Sequence, residues 1–217
     1  MLIEVWSDVV CPWCYIGKRR LEKALAEFPH AADVEVVWRS FQLDPSYAKG
    51  QVTPVYEYLA NKFGGSPRQA KGMTEQVTAG AAGEGLAFGF GRAHVVNTYD
   101  AHRVTHLAKA HGLGPEAHER FLHAHFAEGA TLNDPDTLAR LAVEVGVPEA
   151  EVRRVLASDE YSGDVDADIR DARTLGASGV PFFVLDRAFG ISGAQPVETF
   201  LTALQRAYDH AAASPAR

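Results

Sequence analysis

Thiols are scarce in this chain. Of 217 residues only Cys11 and Cys14 are cysteines. That excludes a disulfide-stapled framework, and half a zinc site would need two further ligands with no second Cys pair to supply them. Basic charge is in short supply as well. The chain carries 21 Lys and Arg against 28 Asp and Glu, a net charge of −7. Phosphate backbones need concentrated positive charge, so nucleic acid is not an expected partner. No run approaches the roughly 18 apolar residues of a membrane span, and no membrane partner is expected. Nor does a basic segment precede an apolar stretch at the start; Met1-Leu2-Ile3-Glu4 runs straight into a strand pattern, so no signal peptide is expected. The expected location is cytoplasmic, where most dithiols are kept reduced and a purely structural disulfide would be out of place. Internal repeats and low-complexity linkers are missing too.

What is present is concentrated in Cys11-Pro12-Trp13-Cys14. It follows the apolar run Leu2–Trp6 and opens a helical pattern reaching about Phe28. A cysteine in the first helical turn faces unpartnered N–H groups and the positive end of the helix dipole, and both favour thiolate. Pro12 fits a helix start, where its missing N–H costs little. Cys11 is expected to be the more exposed, attacking sulfur. Cys14 lies three residues on, on the same helix face, able to close the disulfide or resolve a mixed one. Two unrelated core cysteines are the bland alternative. Lys18, Arg19 and Arg20 crowd the second turn, as ordinary solvated charges or as aids to the thiolate or to a substrate carboxylate.

At 47% hydrophobic, the chain can bury one large core or two small ones. Leu2–Trp6 reads as a buried strand, and Val34–Leu43, rich in β-branched and aromatic residues, as a second. Strand, helix, strand at this spacing implies a parallel pair with a right-handed crossover. Strand patterns then vanish from Pro45 to about Tyr161. Helices are expected from Thr53 to Phe63, after Ser66-Pro67, over His94–His111 and Glu116–Glu128, from Asp134 to Gly146 and from Pro148 to Ser158, with a glycine-rich loop at Gly83–Gly91. A helix from about Gly163 to Leu175, strands at Pro181–Asp186 and Phe189–Ser192, and a terminal helix Pro196–His210 follow, with a frayed tail Ala211–Arg217. The expected fold class is therefore α/β: a thioredoxin fold with a helical domain inserted between its second and third strands. The discontinuous outer domain spans 1–44 and 162–217, the all-helical insertion 45–161.

Five stretches carry a resemblance: Ser7–Gly17, Trp38–Leu43, Asn97–Arg103, Gly179–Val184 and Ser192–Pro196. On these the chain resembles the DsbA-like thioredoxin-fold oxidoreductases, in the FrnE-type cytosolic branch, over nearly its whole length. That branch is also similar to 2-hydroxychromene-2-carboxylate isomerases and kappa-class glutathione transferases. The resemblance implies catalytic roles for Cys11, Cys14 and a cis-proline, Pro181, lying against the sulfurs; on the residues alone, a trans proline opening an edge strand stands beside it. A substrate would contact Pro12, Trp13, Gly179 and Val180, whose backbone edge can pair with a peptide or glutathione. Asn97 and Arg103 match a helix that faces the interdomain cleft in the relatives, and are candidate substrate contacts or structural residues. The implied activity is thiol–disulfide exchange through a mixed disulfide with protein or small thiol substrates. No tightly bound cofactor is expected; glutathione as co-substrate or a partner redoxin would recycle the dithiol, and a homodimer is one arrangement the relatives adopt. A glutathione-dependent isomerase or transferase is the alternative. Its relatives usually carry Ser at the first cysteine position, and Cys14 here would trap glutathione as a disulfide.

Two details depart from or tune that pattern. Thioredoxins carry a buried carboxylate six residues before the first cysteine, and here that position is Val5. Glu4 is one residue away, so it points to the other face of its strand, and the relay is expected to be absent. Trp13, between the cysteines, donates less to the sulfur than an imidazole would, which predicts a more reducing potential than His there, and it also suits a hydrophobic lip. His102 and His106, at i and i+4, could chelate a metal, but Arg103 stands where a zinc-protease motif needs Glu. With His118, His123 and His125 they are expected to be solvated or capping histidines, so the expected metal count is none.

Overall fold

A computed structural model describes residues 1–213. β1 (Leu2–Ser7) leads through a short loop to α1 (Pro12–Glu27), and β2 (Glu35–Ser40) returns parallel to β1. After the insertion, α8 (Ser162–Thr174), β5 (Phe182–Leu185), β6 (Phe189–Ser192) and α9 (Val197–Ala213) complete the outer unit. The main sheet has the order β2-β1-β5-β6, with β5 antiparallel to both neighbours. This is a thioredoxin fold, and the expected parallel β1–β2 pair is its edge.

β1 sets the layering because successive side chains alternate between faces. Ile3 and Val5 enter one core with Leu21 of α1, Phe28 at the C-cap of that helix, Phe183 of β5 and Phe200 of α9. Trp6 points the other way, to Phe182, Val184 and Ala172 of α8. β2 ends at Ser40, short of the expected Leu43, because β1 has run out. The Leu43 N–H is taken by the Asp8 carboxylate at 2.8 Å instead.

The insertion holds α2 (Val55–Phe63), α3 (Pro67–Gly83), α4 (Tyr99–Ala110), α5 (Gly114–His123), α6 (Pro135–Glu144) and α7 (Glu149–Leu156). Its main core is built from α4, α5, α6 and α7, around Val104, Phe121, Leu138 and Val152. Ser66 caps α3 in a reciprocal capping box with Gln69, as Ser-Pro at a helix start leads one to expect.

The insertion is not all helical. β3 (Val52–Pro54) and β4 (His94–Val96) form an antiparallel ribbon. Three-residue strands are too short for an alternation to show, and Pro54 disguises one of them. His94–Val96 was expected as the first turn of a helix. That helix starts at Tyr99 instead, because the Asn97 side-chain oxygen Oδ1 accepts the Tyr99 N–H at 3.0 Å and turns the chain. The helix expected over Glu116–Glu128 ends at His123 and continues as one wide turn with i→i+5 bonding, Ala124–Glu128. At the C-terminus Ala211–Ala213 belong to α9, and 214–217, the remainder of the expected frayed tail, lie outside the described residues.

Candidate active site

Cys11 sits at the N-cap of α1, with Pro12 in the first helical position. The turn is closed from behind: the Cys11 N–H donates to the Asp8 carbonyl at 3.0 Å and the Cys14 N–H to the Cys11 carbonyl at 3.1 Å. Both cysteines are thiols here. Cys11 is only marginally the more exposed, 2% against 0%. The lip above them is Trp13, at 41%.

The Val180–Pro181 peptide is cis, and the Cys11 Sγ lies 3.5 Å from the Val180 carbonyl oxygen. Two features bring this loop onto the helix. Gly17 has no side chain, and a Cβ there would stand 3.0 Å from Pro181 Cγ and 3.2 Å from Phe183. On the far side the Gly193 N–H donates to the Pro181 carbonyl at 2.8 Å. Arg20 fastens the neighbouring β6–α9 connection, which carries Gly193, by donating to the Ala194 carbonyl at 2.6 Å. Gly179 lies in the bend just before the cis bond.

The basic residues of α1 are engaged internally. Lys18 pairs with Glu119 of α5 at 2.7 Å, Arg19 donates to the same carboxylate at 3.0 Å, and Arg20 pairs with Glu84 at 2.7 Å. Burial alone would raise Glu119, but hydrogen bonds from Arg19, Lys18 and Tyr15 outweigh it and hold it at about 2. These contacts join the insertion to α1.

Asn97 and Arg103 also turn inward. The Asn97 amide donates to the Tyr47 carbonyl at 2.6 Å. Arg103 is 3% exposed; it donates to the carbonyls of Val155, Ser158 and Glu160 and pairs with Asp100. The guanidinium thus satisfies carbonyls at the end of α7. Glu4 is buried on the α8 face of the sheet. It accepts from Arg39 and Arg187, each at 2.7 Å, and although burial opposes it these arginines hold its carboxyl below the usual range. His102 and His106 go to different partners, Asp8 at 3.4 Å and Asp168 at 3.1 Å. Among the described residues no three His, Cys, Asp or Glu side chains converge on a metal position.

A cavity of about 430 Å³ opens beside Pro12 and Trp13, walled by apolar residues of α2 and α3. Among the described residues, four of the six large exposed hydrophobic ones lie on it: Trp13, Leu43, Phe63 and Met73. Asp8, His94 and His125 supply polar lining, and Nδ1 of each histidine has no hydrogen-bond partner. Burial pushes His125 down to about 4. The residues of this cavity outside the first helix were not legible as a site, because Leu43, Phe63 and Met73 come from separate segments with no shared motif.

Two cysteines at a helix start, packed against a proline loop in a thioredoxin sheet that carries a helical insertion, match the DsbA-like class. The chain belongs to the DSBA-like thioredoxin domain family, whose pattern matches residues 2–205. It is similar to a probable DsbA oxidoreductase from Streptomyces coelicolor, with 48% identity, a TM-score of 0.95, and coverage of 100% of this chain and 93% of that one. Its fold is also that of the cytosolic disulfide reductase DsbM from Pseudomonas aeruginosa solved with GSH, at 22% identity, TM-score 0.67, covering 96% and 100%. A 2-hydroxychromene-2-carboxylate isomerase shares it at 16% identity, TM-score 0.70, covering 98% of each chain. No helix among the described residues is long and apolar enough to cross a membrane.

Proposed function

We propose that this chain is a thiol–disulfide oxidoreductase that cycles the Cys11–Cys14 dithiol through a mixed disulfide with its substrate. The observation that carries this reading is the placement of Cys11 at the N-cap of α1 with Cys14 one turn behind it. Cys11 attacks a substrate disulfide, the released half leaves as a thiol, and Cys14 attacks the Cys11 sulfur to free the other half. In the opposite direction a substrate thiolate opens the enzyme disulfide at Cys11. Exposed Trp13, Leu43, Phe63 and Met73 around one cavity favour a substrate with an apolar portion, whether peptide or small molecule, since such patches mark binding sites. Val180, beside the Cys11 sulfur, offers a backbone edge to that substrate. Glutathione or a redoxin returns the dithiol to its working state, in a cytoplasmic setting.

The glutathione-dependent isomerase reading requires glutathione to remain a free thiolate. A resolving thiol one turn from Cys11 works against that, because it would displace glutathione from any adduct. The test is titration of the pair in glutathione buffers, with Cys14→Ser alongside. A two-electron equilibrium and a trapped mixed disulfide in the variant are expected. A potential near or above about −200 mV would mark an oxidant or isomerase, and one near about −270 mV a reductase. Failure of the two cysteines to form a disulfide would move the isomerase reading to the front.

A further inference from the structure

Cys14 is fully buried, yet exchange needs it as a thiolate whenever it attacks or leaves. Burial pushes its thiol well up, and the neighbouring Cys11 adds to this. The carboxylate that assists in thioredoxins is not at hand, since Val5 holds that position and Glu4 faces α8 between two arginines. What the sheet presents to Cys14 is Ser7, at the end of β1, 1% exposed. Its hydroxyl is placed on the Cys14 side, where together with the Asp8 backbone it favours the thiolate. The same oxygen lies 2.9 Å from Nε2 of His118. His118 is buried on α5 and lies flat on Trp38 of β2, ring centroids 4.1 Å apart.

The direction of this chain follows from one orphan atom. His118 Nδ1 has no partner. Burial, with Lys18 and His102 adding to it, drives this imidazole well below its usual range, so it is neutral and carries one N–H. Placing that hydrogen on Nδ1 would bury an unpartnered donor, the rarer and costlier defect. Placing it on Nε2 lets it donate to Ser7, which leaves the Ser7 proton to be given to Cys14.

We propose that His118, Ser7 and Cys14 form a fixed donor chain, Nε2–H to Oγ and Oγ–H to Sγ, that holds the Cys14 thiolate in place of the missing carboxylate. The proposal rests on the dithiol reading above. In the resolving step the Cys14 proton has gone to solvent. The thiolate attacks the Cys11 sulfur, the Cys11–Cys14 bond forms, and the Cys11–substrate bond breaks. The substrate leaves with that electron pair as a thiolate and takes a proton from solvent. Ser7 is the group that touches the reacting sulfur; His118 is a positioning residue that acts through it.

The test is rapid mixing of the reduced protein with dithiobis(nitrobenzoate), a chromogenic aryl disulfide. The first equivalent of released thiolate reports Cys11 attack and the second reports resolution by Cys14. In Ser7→Ala and in His118→Phe, which keeps the stack on Trp38, the second phase should slow about tenfold or more, as loss of a hydrogen bond to a charged group implies. Its pH dependence should move to higher pH, while the first phase is unchanged. Ser7→Thr should restore the parent rate. The charged and titratable groups facing His118 are Lys18 from α1, Lys109 and His102 from α4, and Glu119 beside it; neither variant removes any of them. An unchanged second phase and pH profile in both variants would overturn the chain, and so would a slowed phase that Ser7→Thr fails to restore. Release of a single equivalent by the parent protein would instead overturn the dithiol reading itself.

Discussion

The two faces of β1 treat buried polar groups in opposite ways. On the α8 side the groups are ionic and paired. Glu4 meets Arg39 and Arg187, and Asp168 holds the Ser40 N–H at 2.8 Å with His106 and Arg39 beside it. On the α1 side they are neutral and incompletely paired: Ser7, Cys14 and His118, with an orphan nitrogen. Burying a charge is costly unless it is paired and hydrogen-bonded, so the first arrangement is what a fold needs. On the proposed dithiol cycle Cys14 must ionise and return, and fixed opposite charges beside it would lock it in one state. The neutral face leaves Cys14 free to change state.

The sharpest way to break this contrast is to remove a charge from the paired face. Glu4→Gln leaves Arg39 with Asp168 and Arg187 with Asp171 as their remaining acidic partners, and stability should fall by up to about 3 kcal/mol, read from urea unfolding. The rate at which Cys14 leaves or attacks should not change. A slower Cys14 step in that variant would place Glu4 in the chemistry and erase the difference between the faces.

Acid titration separates buried imidazoles from carboxylates by pH. His125 is depressed to about 4. The unfolded chain therefore takes up a proton below about pH 6.5 that the folded chain refuses until about 4, and stability falls across that window. The loss amounts to at most about 3 kcal/mol, on 1.36 kcal/mol per pKa unit. His118, also depressed by burial, adds to the same limb. The carboxylates Glu4, Asp168 and Glu119 are also depressed. Their contribution is full above their ordinary values and is lost only as pH falls below about 4.5. Unfolding midpoints followed from pH 7 to 3 should show a first decline beginning near 6.5. His125→Gln should flatten that limb while leaving the lower one, and an unchanged upper limb in the variant would contradict the assignment.

The smallest effect is expected where an ion cluster reaches the α1 side. Glu119 ties α5 to Lys18, Arg19 and Tyr15 of α1. The cluster is partly solvated, so Glu119→Gln should cost about 1 kcal/mol. Added salt should reduce the difference between variant and parent. A larger loss, insensitive to salt, would mean that this cluster belongs with the paired ions of the other face.

The strands, the redox helix and the interruption after β2 were legible because each has a local signal. Apolar runs mark β1 and β5, and Pro12 after Cys11 marks the start of α1. Gly17 was visible as part of a motif, though not as the contact that lets Pro181 approach. The ribbon of Val52–Pro54 and His94–Val96 was missed, since three residues cannot show a period. Arg103 and Asn97 read equally well as binding groups or structural ones, and only their carbonyl partners distinguish the two. His118 lay among several histidines with nothing in its neighbours to set it apart.

The order of residues by itself determined the dithiol, the helix that carries it, the sheet's alternation and the class of fold, because these depend on neighbours within a few positions along the chain. Which groups surround Cys14 was decided by tertiary structure. Ser7 and His118 are 111 residues apart, and the insertion must fold back on β2 before α5 can lay an imidazole on Trp38. The cavity beside Trp13 is likewise assembled from α2, α3 and β4. Burial, orphaned atoms and hydrogen-bond direction are properties of that packing, and no local pattern encodes them.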